Sequence, residues 1–422
     1  MQLDLGVDRR VLVLALARMA DSMGNSFLIV VLPLYVASGQ VTGSTFGLTE
    51  ALITGLVLSM FGLFNSIIQP FAGRLSDRSG RRKPFILIGL VVLTVTNFTY
   101  SLAHSYDLLL VNRAIQGVGV AFTITATIAL VNEYATDADR GGNMGVFNTF
   151  RLIGFGLGPV VSGAIVSRGP FPLFGGTITG FEAAFYVASA GALLSTVLVT
   201  LIIPESETTS ADAGDDLSID VVASSPDRLL DPVFTLGVAS LFMAMGIALF
   251  STIQPEINAH LDQSPPIFGV EFGAFVVAQI LFQYPIGRAS DQYGRKSFIL
   301  AGLVILGPVT FAQGLAWASW QMVAARFLQG VAGAMVFAPS LALAGDVART
   351  GESGTKLSVL TMAFGLGTAL GPLSSGYLIR FGYAVPFTFG AVLAVVGAVL
   401  VYTQVEETRA TVGDAAGSPS ST

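Results

Sequence analysis

Cysteine is absent from this 422-residue chain, and histidine appears only twice, as His104 and His260. Without thiols the chain forms no disulfides, builds no thiolate metal site and holds no cysteine nucleophile. Two isolated histidines in predicted short loops do not assemble a metal centre, so no metal and no cofactor is expected. His-Glu-x-x-His, Gly-x-Ser-x-Gly and phosphate-loop patterns are also missing. Metal-assisted hydrolysis, acyl transfer and nucleotide-driven work therefore have no residues to carry them, and an enzyme is not expected. Charge is scarce as well: 11% of residues are charged and 53% are hydrophobic, where a soluble domain carries roughly a quarter charged. With a mean hydropathy of +0.73, the chain reads as a bilayer protein.

In place of charge there are twelve apolar runs, at 11–37, 50–73, 84–103, 107–133, 143–167, 181–203, 231–257, 268–288, 297–316, 319–345, 357–379 and 384–403. Each is about 20 residues or more, enough to cross a hydrocarbon core of about 30 Å as a helix. Their length and unbroken hydrophobicity predict helices, since barrel strands alternate over about ten residues. The expected fold class is an all-α membrane protein of twelve transmembrane helices. Fifteen Lys and Arg fall in loops and tails on the side of the N-terminus, against Arg168 and Arg380 on the other. That bias places both termini in the cytoplasm of a protein of the cell membrane. The first run contains Arg18 and Asp21 and no small-residue cleavage site follows it, so it is expected to be a retained helix.

The stretch from Pro204 to Arg228 holds seven acids and one base, the composition of a solvated linker. It divides the chain into an N-terminal bundle at 1–203, a linker at 204–230, a C-terminal bundle at 231–403 and a polar tail at 404–422. Basic residues flank the membrane and do not form one basic face, which excludes nucleic acid as a partner. The expected partners are the lipid bilayer and a small-molecule substrate, for a monomeric chain.

The chain is one half written twice. Asn65, Gln69, Gly73, Arg74, Ser76, Asp77, Gly80 and Arg81 stand over Gln279, Gln283, Gly287, Arg288, Ser290, Asp291, Gly294 and Arg295, all 214 residues apart. One residue then drops out, and Arg113-x-x-Gln116-Gly117 stands 213 residues before Arg326-x-x-Gln329-Gly330, as does Gly154–Gly163 before Gly367–Gly376. Parallel six-helix repeats joined by a polar loop suit a transporter that opens a central site alternately to either side. The pattern resembles the major facilitator superfamily over about residues 11 to 403, which implies two pseudo-symmetric six-helix bundles.

The resemblance assigns roles to several motifs. The segment from Gly73 to Lys83 is similar to the family's signature between helices two and three. It implies a gate in which Asp77 locks one state against the helix beginning near Lys356, while Arg81 pairs with acids at the end of helix four, where Glu133 and Arg140 stand. Gly80 and the second copy, Gly287, Asp291, Gly294 and Arg295, belong to the same gate. The alternative, a purely topological basic loop, remains open for Arg78, Arg82 and Lys83. Gly154, Gly158, Pro159 and Gly163 resemble the helix-five motif of antiporters; small residues on one face also serve generic helix packing.

Charges inside the runs are costly in lipid and are functional candidates: Arg18, Asp21, Arg113, Arg151 and Arg326. Asp21 lies about 15 Å into its run, near the midplane. Arg113 stands in a stretch similar to the helix-four signature, whose arginine the family associates with proton coupling. One expectation is that Asp21 alternates between a protonated form and a pair with Arg113 or Arg151; the other is a structural pair of Arg18 and Asp21 on one helical turn. Asn25, Asn65, Gln69, Gln254, Gln279, Gln283 and Arg326 line a cavity or bond between helices. The leading expectation is proton-coupled efflux of small lipophilic or amphipathic compounds. The alternatives are transport of a sugar, organic anion or other metabolite on the same fold, and a non-transporting membrane sensor or assembly factor.

Overall fold

The computed structural model describes the chain except residues 1–8, 46, 135–139, 174, 205–220, 223–227, 348–352 and 408–422. Most of the predicted acidic linker and the end of the tail thus lie outside the described residues. Helices dominate: α1 (Arg9–Ala37), α2 (Glu50–Ser79), α3 (Lys83–Thr99), α4 (Tyr106–Tyr134), α5 (Arg140–Arg168), α6 (Gly180–Ile202), α7 (Pro232–Ala248), α8 (Gln254–His260), α9 (Pro265–Tyr293), α10 (Arg295–Gln313), α11 (Ser319–Val347), α12 (Ser353–Leu378) and α13 (Val385–Gln404). A small antiparallel hairpin, β1 (Phe171–Leu173) with β2 (Gly176–Ile178), joins α5 to α6. Among the described residues, eleven helices are long and apolar enough to cross a membrane; the glycine-rich α12 is the remaining long helix.

Two predicted elements differ in detail. The run at 231–257 is not one helix: α7 stops at Ala248, a 3-10 turn follows, and Pro255 opens the short α8, because proline suits a first helical turn and not an interior. The signature expected in a loop is mostly helical, since α2 runs on through Ser79 and α9 through Tyr293. Gly80, at φ +63°, and Gly294, at φ +102°, then turn the chain, a conformation that side chains with a Cβ resist. Helix starts carry local signals: Thr49 caps α2, Asp231 caps α7, and Thr179 with Glu182 forms a capping box on α6.

The chain divides into two compact units, one of residues 1–215 with 251–273 and the other of 216–250 with 274–422. In the first, α1 packs along α5 and α6, and α4 along α2 and α3; in the second, α7 packs along α12 and α13, and α10 along α11 and α13. The packing therefore repeats with the sequence. Residues 251–273 follow the linker in sequence, yet they join the first unit because they lie on α1 and α5. Outward faces are apolar, with Phe71, Val95, Leu194, Val304 and Val395 exposed, as in a protein surrounded by lipid.

Candidate functional site

Asp21 sits near the middle of α1 with its side chain 2% exposed, and Arg18, one turn earlier, donates from Nη1 to its Oδ2. The other carboxylate oxygen, Oδ1, is buried and has no hydrogen-bond partner. Asn25, one turn onward on the same face, likewise has a buried Oδ1 without a partner. On α5, Arg151 donates from Nε to Asn148 Oδ1 at 2.9 Å, and its positive charge feels that of Arg18. Two cations and one carboxylate thus share the α1–α5 interface.

That interface is close because of the helix-five glycines. A Cβ on Gly154 would stand 2.1 Å from the Met19 carbonyl oxygen, and one on Gly158 would stand 1.9 Å from Ser26 Oγ. The second unit repeats the device: a Cβ on Gly367 would meet the Leu241 carbonyl oxygen of α7 at 2.4 Å, and one on Gly371 the Met245 oxygen at 2.7 Å. Gly163 serves a different contact, facing Pro265 and Pro266 at the start of α9. Pro159 lies inside α5, and its carbonyl is approached by Gly269 of α9.

Arg113 is 2% exposed on α4. Its Nη1 donates to Gln116 Oε1 at 2.7 Å, Gln116 Nε2 donates to Asn97 Oδ1 at 2.9 Å, and Tyr100 donates to Gln116 Oε1 at 3.1 Å. Its guanidinium lies 4.7 Å from the Phe61 ring centroid, a cation–π contact. Among the described residues no carboxylate pairs with Arg113. Arg326 repeats the arrangement in the second unit: it donates to Gln329, which donates to Thr310 Oγ1 at 3.0 Å, while its guanidinium lies 4.8 Å from the Phe275 ring. Phe61 and Phe275 occupy matching places in the two repeats.

At the cytoplasmic ends predicted from sequence, the contact expected of Arg81 is made by Arg82. Arg82 donates from Nε to Glu133 Oε1 at 2.9 Å, from Nη1 to Asp77 and from Nη1 to Ser76 Oγ at 3.1 Å. The left-handed turn at Gly80 leaves Arg81 exposed and buries Arg82. Burial opposes the Arg82 charge, but Glu133 and Asp77 outweigh it and hold the guanidinium above its ordinary value. In the second unit Arg295 donates to Asp291 Oδ1 at 2.8 Å and to Asp346. Arg82, and not Arg81, is therefore the counterpart of Arg295, and the unmatched residue of the repeat is Arg81. The side chains of Arg140 and Lys356 lie outside the described residues. A third acid joins the second copy: Glu407 accepts from the backbone N–H groups of Arg295 at 3.1 Å and Lys296 at 2.9 Å, capping α10.

The family profile described as Major Facilitator Superfamily matches residues 14–228 and 236–421. The chain belongs to the major facilitator superfamily. As a member it is a multi-pass membrane secondary transporter of a small-molecule substrate, and not an enzyme. It is 23% identical over 386 residues to the quinolone resistance protein NorA of Staphylococcus aureus (strain MRSA252), covering 90% of this chain and 92% of that one. Multidrug resistance protein 2 of Bacillus subtilis (strain 168) is 25% identical over 393 residues, covering 89% and 90%. Among solved structures, a bacterial homolog of the human lysosomal transporter Spinster, inward-facing and occupied, matches with a TM-score of 0.74 at 15% identity, covering 93% and 95%. The human organic anion transporter MFSD10 (TETRAN) matches at 0.67 and 18%, covering 95% and 100%.

Within this facilitator the predicted polar residues separate. Gln254 is fully buried, with neither end of its amide partnered, and Asn65 Oδ1 is buried without a partner. Gln69, Gln279 and Gln283 are half-buried. Gly73, Arg78 and Gly287 flank the charged triads on α2 and α9 without joining them. Sequence reasoning missed Glu271, a carboxylate with no exposed surface on α9, and Arg82 as the pairing arginine. Glu271 was discoverable, since it is the one acid inside the apolar run 268–288.

Proposed function

We propose that this facilitator exports small lipophilic or amphipathic compounds from the cell in exchange for protons, across the plasma membrane and with both termini in the cytoplasm. The carrying observation is Asp21: a buried carboxylate at the middle of α1, one oxygen held by Arg18 and the other open. An acid at that depth is stable as a neutral group or as an ion pair. Arg18 supplies the pair, and the open oxygen is a place for a proton. Exchange between those forms links proton movement to a change of conformation. In this structure Arg113 and Arg151 contact neutral partners, so either pairs with Asp21 only after a rearrangement. The curated relatives named for drug resistance support the cargo class.

A second reading is favoured by Arg113, a buried guanidinium whose contacts are all neutral. An anionic substrate would supply the missing charge. The purified protein in liposomes loaded with a pH-sensitive dye distinguishes the readings. Proton movement opposite to a lipophilic cation, abolished in Asp21→Asn while cation binding persists, is the expected result. Uphill transport unchanged by Asp21→Asn removes Asp21 from coupling, and proton movement alongside an anion establishes the second reading.

A further inference from the structure

We propose that Arg380, held by the rings of Tyr377 and Phe381, binds the phosphate of an anionic phospholipid in the leaflet opposite the chain's C-terminal tail. The place follows from the second unit alone. α10 starts at Arg295, whose backbone N–H donates to Glu407 of the tail, and α13 ends just before, at Gln404. The far end of α10, a helix of 19 residues, therefore stands about 28 Å away, across a hydrocarbon core. There the two helices meet again: a Cβ on Gly314, after α10, would stand 3.1 Å from Ala384 Cα, before α13. Arg380 and Phe381 belong to the 3-10 turn Ile379–Phe381 between α12 and α13. They share this end with the segment before α11 that carries Trp317.

Arg380 is exposed, and its guanidinium carbon lies 3.7 Å from the Tyr377 ring centroid and 4.6 Å from that of Phe381. The two rings hold the cation by its face. Its N–H groups make no hydrogen bond or ion pair among the described residues. A guanidinium held by its face and free at its edge presents a fork for two phosphate oxygens. No acid of its own unit stands near to neutralise it. Residues 232–250, 274–290, 297–345 and 353–405 contain none, while Asp231, Asp291, Asp346, Glu406 and Glu407 stand at the end that bears the tail. A cation at the end of α12 also suits the helix dipole, but that role needs no rings, and lysine would fill it.

Trp317 and Trp320 are the only two tryptophans of the chain, and they are 73% and 66% exposed. Exposed indoles gather at the headgroup level, where the ring meets acyl chains and the N–H meets phosphate or carbonyl oxygen. Leu315 and Phe381, both exposed, extend the apolar rim. A lipid can thus set its phosphate on Arg380 while its chains lie against that rim. A zwitterionic headgroup would bring a second cation to an end that has no acid of its own unit, so an anionic headgroup fits it better.

Because both tryptophans stand at this end, their fluorescence reports on it alone. The full chain is placed in phosphatidylcholine nanodiscs in which a fixed share of lipid, either phosphatidylglycerol or phosphatidylcholine, carries bromines near the glycerol end of its chains. Brominated phosphatidylglycerol is expected to quench as though enriched about fivefold over brominated phosphatidylcholine beside the tryptophans. Arg380→Gln should bring the two lipids level, and Arg380→Lys, which keeps the charge on α12, should lose most of the preference. Arg168→Gln, which removes the matching charge at the end of α5, should leave it whole. An unchanged emission maximum in detergent checks that each variant folds. Equal quenching by the two lipids in the parent, or a preference that survives Arg380→Gln, overturns the site, and a preference kept whole in Arg380→Lys overturns the clamped fork. Inorganic phosphate should not relieve the quenching; relief would assign the site to the free anion and overturn the lipid. No transported compound is present, so the result is independent of the export reading.

Discussion

Gly154→Ala tests the closest approach in the first unit. Its Cβ would stand 2.1 Å from the Met19 carbonyl oxygen, with the Met19 carbonyl carbon and Cα at 2.9 and 3.0 Å. The obstacle is backbone, which no rotamer change removes, so α1 and α5 must part by about 1 Å to restore ordinary contact. Overpacking of this kind costs about 1–3 kcal/mol. The matched control is Gly145→Ala on the same helix, where a Cβ meets nothing within 4 Å. There the change gains about 0.5–1 kcal/mol of helix propensity. For a unit of this size the two variants should melt about 3–16 °C apart. The assay is circular dichroism at 222 nm in detergent at one heating rate, since membrane proteins unfold irreversibly. Gly154→Ala melting with the parent, or Gly145→Ala falling as far, would refute the reasoning.

Arg82→Ala should leave Asp77 and Glu133 without their shared donor, at a loss of about 1–3 kcal/mol, and increase labelling of cysteines at the ends of α2 and α4. Arg81→Ala, at an exposed position, should change neither melting nor labelling. Glu407→Ala should lower stability by about 1 kcal/mol through the lost α10 cap, read as a lower melting temperature of the α10 amides in hydrogen exchange. Glu256 has a raised pKa in the folded chain, so its ionisation costs stability as pH rises from 4.5, its ordinary value, to its folded value, and the penalty is constant above. Glu256→Gln should therefore raise the melting temperature above that window and leave it unchanged below 4.5; a gain at acid pH would contradict the assignment.

Much of the site was legible as residue types and little of it as contacts. Asp21 stands out because a carboxylate in an apolar run is expensive. Its partner was open among Arg18, Arg113 and Arg151, and the choice follows from Arg18 standing one turn away while Arg113 is drawn to Gln116 and Phe61. Matching Gly-Arg to Gly-Arg aligned Arg81 with Arg295, yet the turn at Gly80 consumes Arg81 and hands its contacts to Arg82. Glu271 is a single acid diluted by its apolar neighbours, and its burial arises from a seat on residues over one hundred positions earlier.

By itself the sequence determined the class, the long helices, the duplication and the family, because hydrophobic length, basic bias and repeated motifs are local properties of the chain. Tertiary structure alone decided that Arg82, and not Arg81, meets Glu133, and which stretch of the second repeat joins the first unit. Those outcomes depend on the register in which helices far apart in sequence close on one another. That register is set by backbone contacts at Gly154, Gly158, Gly163 and Gly269, and no periodicity along the chain encodes it.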